Sequence, residues 1–172
     1  KDLVHYGGSS AVRSGLLDKV YGQLQKAGLA YVSLGGVVPN PRVSKVREGI
    51  ELCRREGVDF ILAVGGGSVI DSAKAISVGV PYDGDVWDFY TRKAYASVCL
   101  PLATVLTIPA AGSEMSDGSV ITNEDRNLKK DYCTDIFRCK FAVMNPERTF
   151  TLPPFQTACG VVDMMMHTME RY

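Results

Sequence analysis

The run Asp59-Phe60-Ile61-Leu62-Ala63-Val64, followed at once by Gly65-Gly66-Gly67-Ser68, constrains this chain more than any other segment. An unbroken apolar stretch of that length is expected of a strand buried on both faces of a parallel sheet. The glycines end it, and the spacing predicts a helix over 69–78 that contains Asp71 and Lys74. Parallel neighbours cannot be joined by a hairpin, so a strand of this kind calls for crossover helices covering both faces. The same order recurs upstream. Leu3 to Tyr6 reads as a strand, Gly7-Gly8-Ser9-Ser10 as a tight turn, and Ser14 to Lys26 as a helix with Leu16, Leu17, Val20, Leu24 and Ala27 on one face. Ala30 to Leu34 reads as a second strand, and Gly35 to Pro41 as an extended loop held stiff by Pro39 and Pro41 around Asn40. A helix over 42–56 follows, with Val43, Val46, Ile50 and Cys53 at helical spacing and Gly57 as its stop. The alternation predicts a doubly wound, mostly parallel α/β sheet.

Beyond Pro81 the pattern loosens. Thr104 to Ile108 reads as another central strand, Ser119 to Thr122 as a short one, and Phe141 to Met144 as the last, ending at Asn145-Pro146. From the Pro153-Pro154 pair onward Phe155, Cys159, Val162, Met166 and Met169 predict a long helix, inside which the sequence stops at Tyr172. We therefore expect an α/β domain over 1–152 and, over 153–172, the first helix of an all-helical domain. Length and composition agree: 172 residues, 46% apolar and 22% charged, describe about one soluble globular domain. Nineteen basic against nineteen acidic residues give a formal net charge of zero, which speaks against a nucleic-acid partner. The most apolar stretch, Ala96 to Ala111, is broken by Pro101 and Pro109, so no membrane span and no membrane partner is expected. The first residues lack the charged and apolar regions of an export signal, and also an initiator Met. Five cysteines (Cys53, Cys99, Cys133, Cys139, Cys159), an odd number without a CxxC pair, read as reduced thiols acting as small buried apolar side chains, and so as a cytoplasmic protein.

Three features carry chemistry. Glycines between a buried strand and a helix let backbone N–H groups approach an anion, and the helix N-terminus adds about half a positive charge, so a phosphate or pyrophosphate suits Val64 to Ser68. The spacing is not GxGxxG and the Lys-Ser/Thr of a P-loop is missing; a plain strand-to-helix turn is the bland alternative, in which Asp71 only favours the macrodipole. The turn Tyr6 to Ser10 offers small residues and hydroxyls, no carboxylate, and Arg13 shortly after. A carboxylate there would accept from a ribose 2′-OH and repel a 2′-phosphate, so if a dinucleotide binds, NADP(H) is favoured over NAD(H). Finally, Asp163 and His167 stand four apart on the last helix, with Cβ atoms about 6 Å apart. They can hold Fe²⁺ or Zn²⁺, although on spacing alone an Asp–His hydrogen bond is the commoner arrangement and a catalytic metal needs a further ligand.

Together the segments resemble the iron-containing (group III) metal-dependent alcohol dehydrogenases, in the branch of NADPH-dependent aldehyde reductases and butanol dehydrogenases. The resemblance rests on Tyr6 to Ser10, Gly35 to Pro41, Ala63 to Asp71, Thr107-Ile108-Pro109-Ala110-Ala111-Gly112-Ser113-Glu114, and Thr151 through His167, in the family's order. It implies a Rossmann-like dinucleotide-binding domain followed by a helical metal-binding one. Gly66, Gly67 and Ser68 would cradle the pyrophosphate with Asp71 alongside; Gly7, Gly8, Ser10 and Asn40 would face the adenosine end; Thr107 and Lys129 would contact phosphates or riboses. Asp163 and His167 match two of the family's four metal ligands. The implied activity is hydride transfer between NADP(H) and a small alcohol or aldehyde with a divalent metal, Fe²⁺ or Zn²⁺, as Lewis acid, in a possible homodimer. Ser9, Ala111 and Asn145 depart from the usual Gly, Thr and Asp. An NAD-dependent polyol dehydrogenase, a dehydroquinate-synthase-like lyase and a non-catalytic nucleotide-binding module remain as alternatives.

Overall fold

The computed structural model describes residues 1–172, except for the side chains of Ser9 and Ser10. Strands β1 (Asp2–Gly7), β2 (Tyr31–Val37), β3 (Phe60–Gly65), β4 (Leu102–Leu106) and β7 (Ala142–Met144) form one sheet in the order β2-β1-β3-β4-β7. Every pairing in it is parallel. After β2 the chain returns to the other side of β1 to place β3, so the connections reverse direction between β1 and β3. In such sheets the crevice outside the strands' C-terminal ends at the reversal is where ligands enter.

The period-2 alternation of β3 explains the two-sided core. Ile61 and Ala63 face helices α3 (Val43–Glu56) and α4 (Gly67–Gly79), while Leu62 and Val64 face α1 (Ser9–Arg13) and α2 (Leu16–Lys26). Helix α4 is buried nearly all round, from Val69 to Gly79, because it lies beneath the sheet, α3 and a second sheet at once. That second sheet is the antiparallel pair β5 (Gly118–Asn123) and β6 (Leu128–Cys133), linked by a single 3₁₀ turn and Asn127 in the left-handed region. The short helix α5 (Trp87–Tyr90) packs against Tyr132 of β6, with Phe89 stacked on its ring and Tyr90 edge-on to it.

The structure departs from the sequence reading in five places. The helix expected over 14–26 begins earlier and is split, because Gly15 adopts φ 66 between α1 and α2. Strand β2 runs on through Gly35 and Gly36 to Val37, where pairing with Gly7 continues past an irregularity. β4 lies two residues earlier than expected, over Leu102–Leu106. β6 carried no visible signal, since five of its six side chains are exposed. Of the cysteines only Cys53 is buried; Cys99 and Cys139 are half-buried, and Cys133 and Cys159 are exposed, although all five are free. No helix is long and apolar enough to cross a membrane.

Helix α6 (Pro154–Met169) ends before Tyr172 and has no buried residue. Phe155, Met164, Met165 and Met169 are all exposed along it.

A buried histidine ties the crevice elements together. His5 on β1 is fully buried, with Nδ1 2.9 Å from the Leu34 carbonyl and Nε2 2.9 Å from Ser72 Oγ on α4. The carbonyl can only accept, so Nδ1 carries the proton and Nε2 accepts from the serine hydroxyl. Burial pulls the imidazole down from 6.5 to about 4. A depressed histidine contributes stability that is complete above pH 6.5 and is lost as pH falls toward 4, because the unfolded chain then binds the extra proton. We expect His5 to account for about 2 kcal/mol of lost stability between pH 7.5 and 5. Urea unfolding of the parent and of His5→Gln at both pH values checks this; an equal pH slope in the two would exclude it.

Candidate functional site at the crevice between the first and third strands

The apolar run of β3 drives its C-terminal end to the crevice, where Gly65 and Gly66 turn the chain directly into α4. Gly66 is extended and offers no side-chain cap. The first-turn amides of a helix have no intrahelical acceptor, and here no side chain of the cap residue covers them. Space is tight around the turn. A Cβ on Gly7 would stand 3.2 Å from Val69 Cγ2, one on Gly65 2.8 Å from Val69 Cβ, and one on Gly66 3.0 Å from Ile108 Cγ2. Close approach is thus what favours glycine here, most strictly at Gly65, since Gly7, Gly65 and Gly66 all lie outside the positive-φ region. Val69, the side chain wedged between the two glycine turns, was not singled out in the sequence.

The far wall comes from the β4–β5 connection. Thr107 follows β4 and its N–H donates to the Gly65 carbonyl at 3.1 Å, which pins the start of this wall to the turn. Gly67 lies beside it, with a Cβ position 3.5 Å from that of Ala111. Thr107 and Ile108 also line a cleft of about 410 Å³ with Ala11, Arg148, Thr151 and Leu152. The expected domain junction thus borders the cleft.

The predicted residues gather unequally. Gly7, Gly8, Gly66, Gly67, Ser68 and Thr107 all lie at the strand ends that bound the crevice. The side chain of Ser10 lies outside the described residues. Asn40 and Lys129, 89 positions apart, meet directly: Lys129 Nζ donates to Asn40 Oδ1 at 2.8 Å. They are brought together because Thr122, opposite Lys129 in the hairpin, donates its N–H to the Pro41 carbonyl at 2.8 Å. Asp71 is engaged within the chain. Ser113 Oγ donates to its Oδ1, and the Val120 N–H donates to Oδ2 at 3.0 Å. Burial raises its pKa, while these donors and Lys74 pull the other way.

Asp163 and His167 lie apart from this cluster, on α6. Their Oδ2 and Nε2 atoms are 3.7 Å apart, on side chains 66% and 73% exposed. One carboxylate and one imidazole on adjacent turns, both free of the core, suit two positions in the coordination sphere of Fe²⁺ or Zn²⁺. Among the described residues no group of three or more His, Cys, Asp or Glu could hold a metal.

A doubly wound parallel sheet whose glycine turn opens an uncapped helix N-terminus at the reversal point is a Rossmann-like domain. The chain belongs to the iron-containing alcohol dehydrogenase family: the family model, described as iron-containing alcohol dehydrogenase, matches residues 1–146. Among relatives, it is 51% identical over 170 residues to the Probable NADH-dependent butanol dehydrogenase 2 of Bacillus subtilis (strain 168), covering 99% of this chain and 44% of that protein. It is 38% identical over 173 residues to the NADPH-dependent aldehyde reductase YqhD of Escherichia coli (strain K12), with 99% and 44% covered. The crystal structure of NADH-dependent butanol dehydrogenase A from Thermotoga maritima superimposes with a TM-score of 0.93 at 43% identity, covering 98% of this chain and 42% of that one. The chain thus spans less than half the length of the relatives it matches.

Proposed function

We propose that residues 1–152 form a nicotinamide-dinucleotide-binding domain and that residues 153–172 begin a metal-binding helical one, in a protein that transfers hydride between NADP(H) and a small alcohol or aldehyde. The observation that carries this reading is the cradle at Gly66: a crevice at the sheet's reversal point, at the head of a helix without a side-chain cap, where a Cβ on Gly66 would stand 3.0 Å from Ile108 Cγ2. Gly66, Gly67 and Ser68 present amides to the pyrophosphate. Gly7, Gly8 and Ser10 lie toward the adenosine end, with Asn40 and Lys129 acting as a hydrogen-bonded pair and Thr107 on the opposite wall. Asp71 holds that wall through Ser113 and Val120.

Asp163 and His167 would hold the divalent metal, Fe²⁺ or Zn²⁺. When bound, such an ion polarises the aldehyde oxygen or lowers the alcohol's pKa. The chain's own contribution is to fix the dinucleotide against the sheet so that hydride donor and acceptor meet without a diffusional search.

Two observations pull the dinucleotide choice in opposite directions. The turn after β1 carries no carboxylate and Lys129 stands beside Asn40, which favours a 2′-phosphate and NADP(H). The Bacillus subtilis and Thermotoga maritima relatives are named NADH-dependent, which favours NAD(H) as the second reading. Oxidation of NADPH and of NADH by the whole protein with butanal, with metal content assayed in parallel, tests both. We expect turnover with bound metal and a preference for NADPH. A strong preference for NADH removes the reading of the Gly7-Gly8 turn, and no binding of either nucleotide removes the functional reading altogether.

A further inference from the structure

Lys74 is fully buried on α4, one turn beyond the phosphate cradle. Burying an ammonium is costly unless it is well satisfied. Its Nζ donates to the carbonyl oxygens of Ser113 at 2.7 Å, Ser116 at 2.8 Å and Gly118 at 2.8 Å, and to Ser116 Oγ at 3.1 Å. The Phe137 ring lies 5.4 Å away. None of the four oxygens is a carboxylate, so this is no salt bridge, and a core that needed only volume would be better served by Met or Leu. What the charge does is gather three backbone dipoles from a single turn.

The turn is also tied to the segment after β6: Arg138 Nη1 donates to the Met115 carbonyl at 2.6 Å, and the Thr134 N–H donates to the Asp117 carbonyl at 2.8 Å; its ties to α4 are those of Lys74 and Asp71. Pro109, Ala110, Ala111 and Met115 are exposed, and Ser113 is the one buried side chain between Ile108 and Met115. Its internal bonds are Met115 N–H and Ser116 N–H to the Gly112 carbonyl, at 3.1 and 3.0 Å, and Gly118 N–H to Ser116 Oγ at 3.4 Å. It forms the wall facing the cradle, with the Cβ of Ser113 3.9 Å from where a Cβ on Gly67 would stand. Asp71 and Lys74, three apart on one face of α4, grip this segment from the helix that also presents the phosphate-binding amides.

We propose that Lys74 is a positioning residue for the dinucleotide: its ammonium fills a carbonyl cage, as a monovalent cation would, and so fixes the 113–118 turn against the N-terminal turn of α4. The inference rests on the dinucleotide reading above. It is tested in the whole protein with Lys74→Met, which keeps the volume and loses every donor, and Lys74→Gln, which keeps a neutral donor. Fluorescence titration with NADPH and NADH gives Kd, and steady-state assays with butanal give KM and kcat. The Met variant is expected to bind about tenfold more weakly, with the dinucleotide KM rising in step and kcat within about twofold, and the Gln variant to fall between it and the parent. If both folded variants keep Kd within about twofold of the parent, even with a lowered melting temperature, Lys74 serves only the core and the proposal is overturned. Should the Met variant not fold, the Gln variant decides by the same criterion. A parent that binds neither nucleotide overturns the dinucleotide reading itself and this inference with it, so the two failures are distinct.

Discussion

His167→Ala in the whole protein is expected to release the bound divalent metal and to lower turnover at least about 100-fold, while Kd for the dinucleotide stays where it was. The separation follows from the geometry. His167 is 73% exposed on a helix with no buried residue, with Asp163 at 3.7 Å. An exposed pair of this kind contributes little to the folding of the α/β domain over residues 1–152. The crevice between β1 and β3 is built without either residue, and nucleotide binding should persist. Asp163→Asn should act in the same direction, since the amide keeps the shape and loses the charge. Metal analysis of the purified variants, alongside butanal reduction and nucleotide titration, reads all three quantities. Full turnover by a metal-free His167→Ala protein would remove Asp163 and His167 from the mechanism.

The parts of this molecule that could be read in the sequence are those in which a local rule and the tertiary structure ask for the same residues. β3 is legible because a strand covered on both faces must be apolar throughout, and Phe60 to Val64 are. α3 is legible because it shows one face to the core, through Val43, Val46, Ile50 and Cys53. The glycine turn is legible because the close approach of Val69 and Ile108 favours Gly. β6 was missed because its sequence, Leu-Lys-Lys-Asp-Tyr-Cys, buries only Tyr132; its strand character comes from pairing with β5, which no local pattern encodes. The Asn40–Lys129 contact is likewise a product of the hairpin's register. Its two residues were each recognisable by resemblance, but not as a pair. Lys74 is the clearest case of hidden information. A lysine in a predicted helix reads as solvent-facing, and only the carbonyls of Ser113, Ser116 and Gly118, supplied from some forty residues away, make it a buried one.

The second large effect concerns the cradle. Gly66→Val is expected to weaken dinucleotide binding about 100-fold, close to 2.7 kcal/mol, with the fold retained. Gly66 has φ −95 and ψ −165, an extended conformation open to any residue, so backbone strain plays no part. The obstacle is space: a Cβ stands 3.0 Å from Ile108 Cγ2, and a branched side chain must either push the 107–118 wall outward or lean over the amides of Gly67 and Ser68. Both choices act on the crevice and neither reaches the sheet, where Ile61, Ala63 and Leu102 remain packed. Gly22→Ala in α2 is the matched control, because a Cβ there meets nothing within 4 Å and the helix gains about 1 kcal/mol of propensity. That variant should melt higher and bind as the parent does. If Gly66→Val also binds NADPH and NADH as the parent does, the amides at the head of α4 are not where the pyrophosphate sits, and the glycines serve only to pass the chain beneath Ile108.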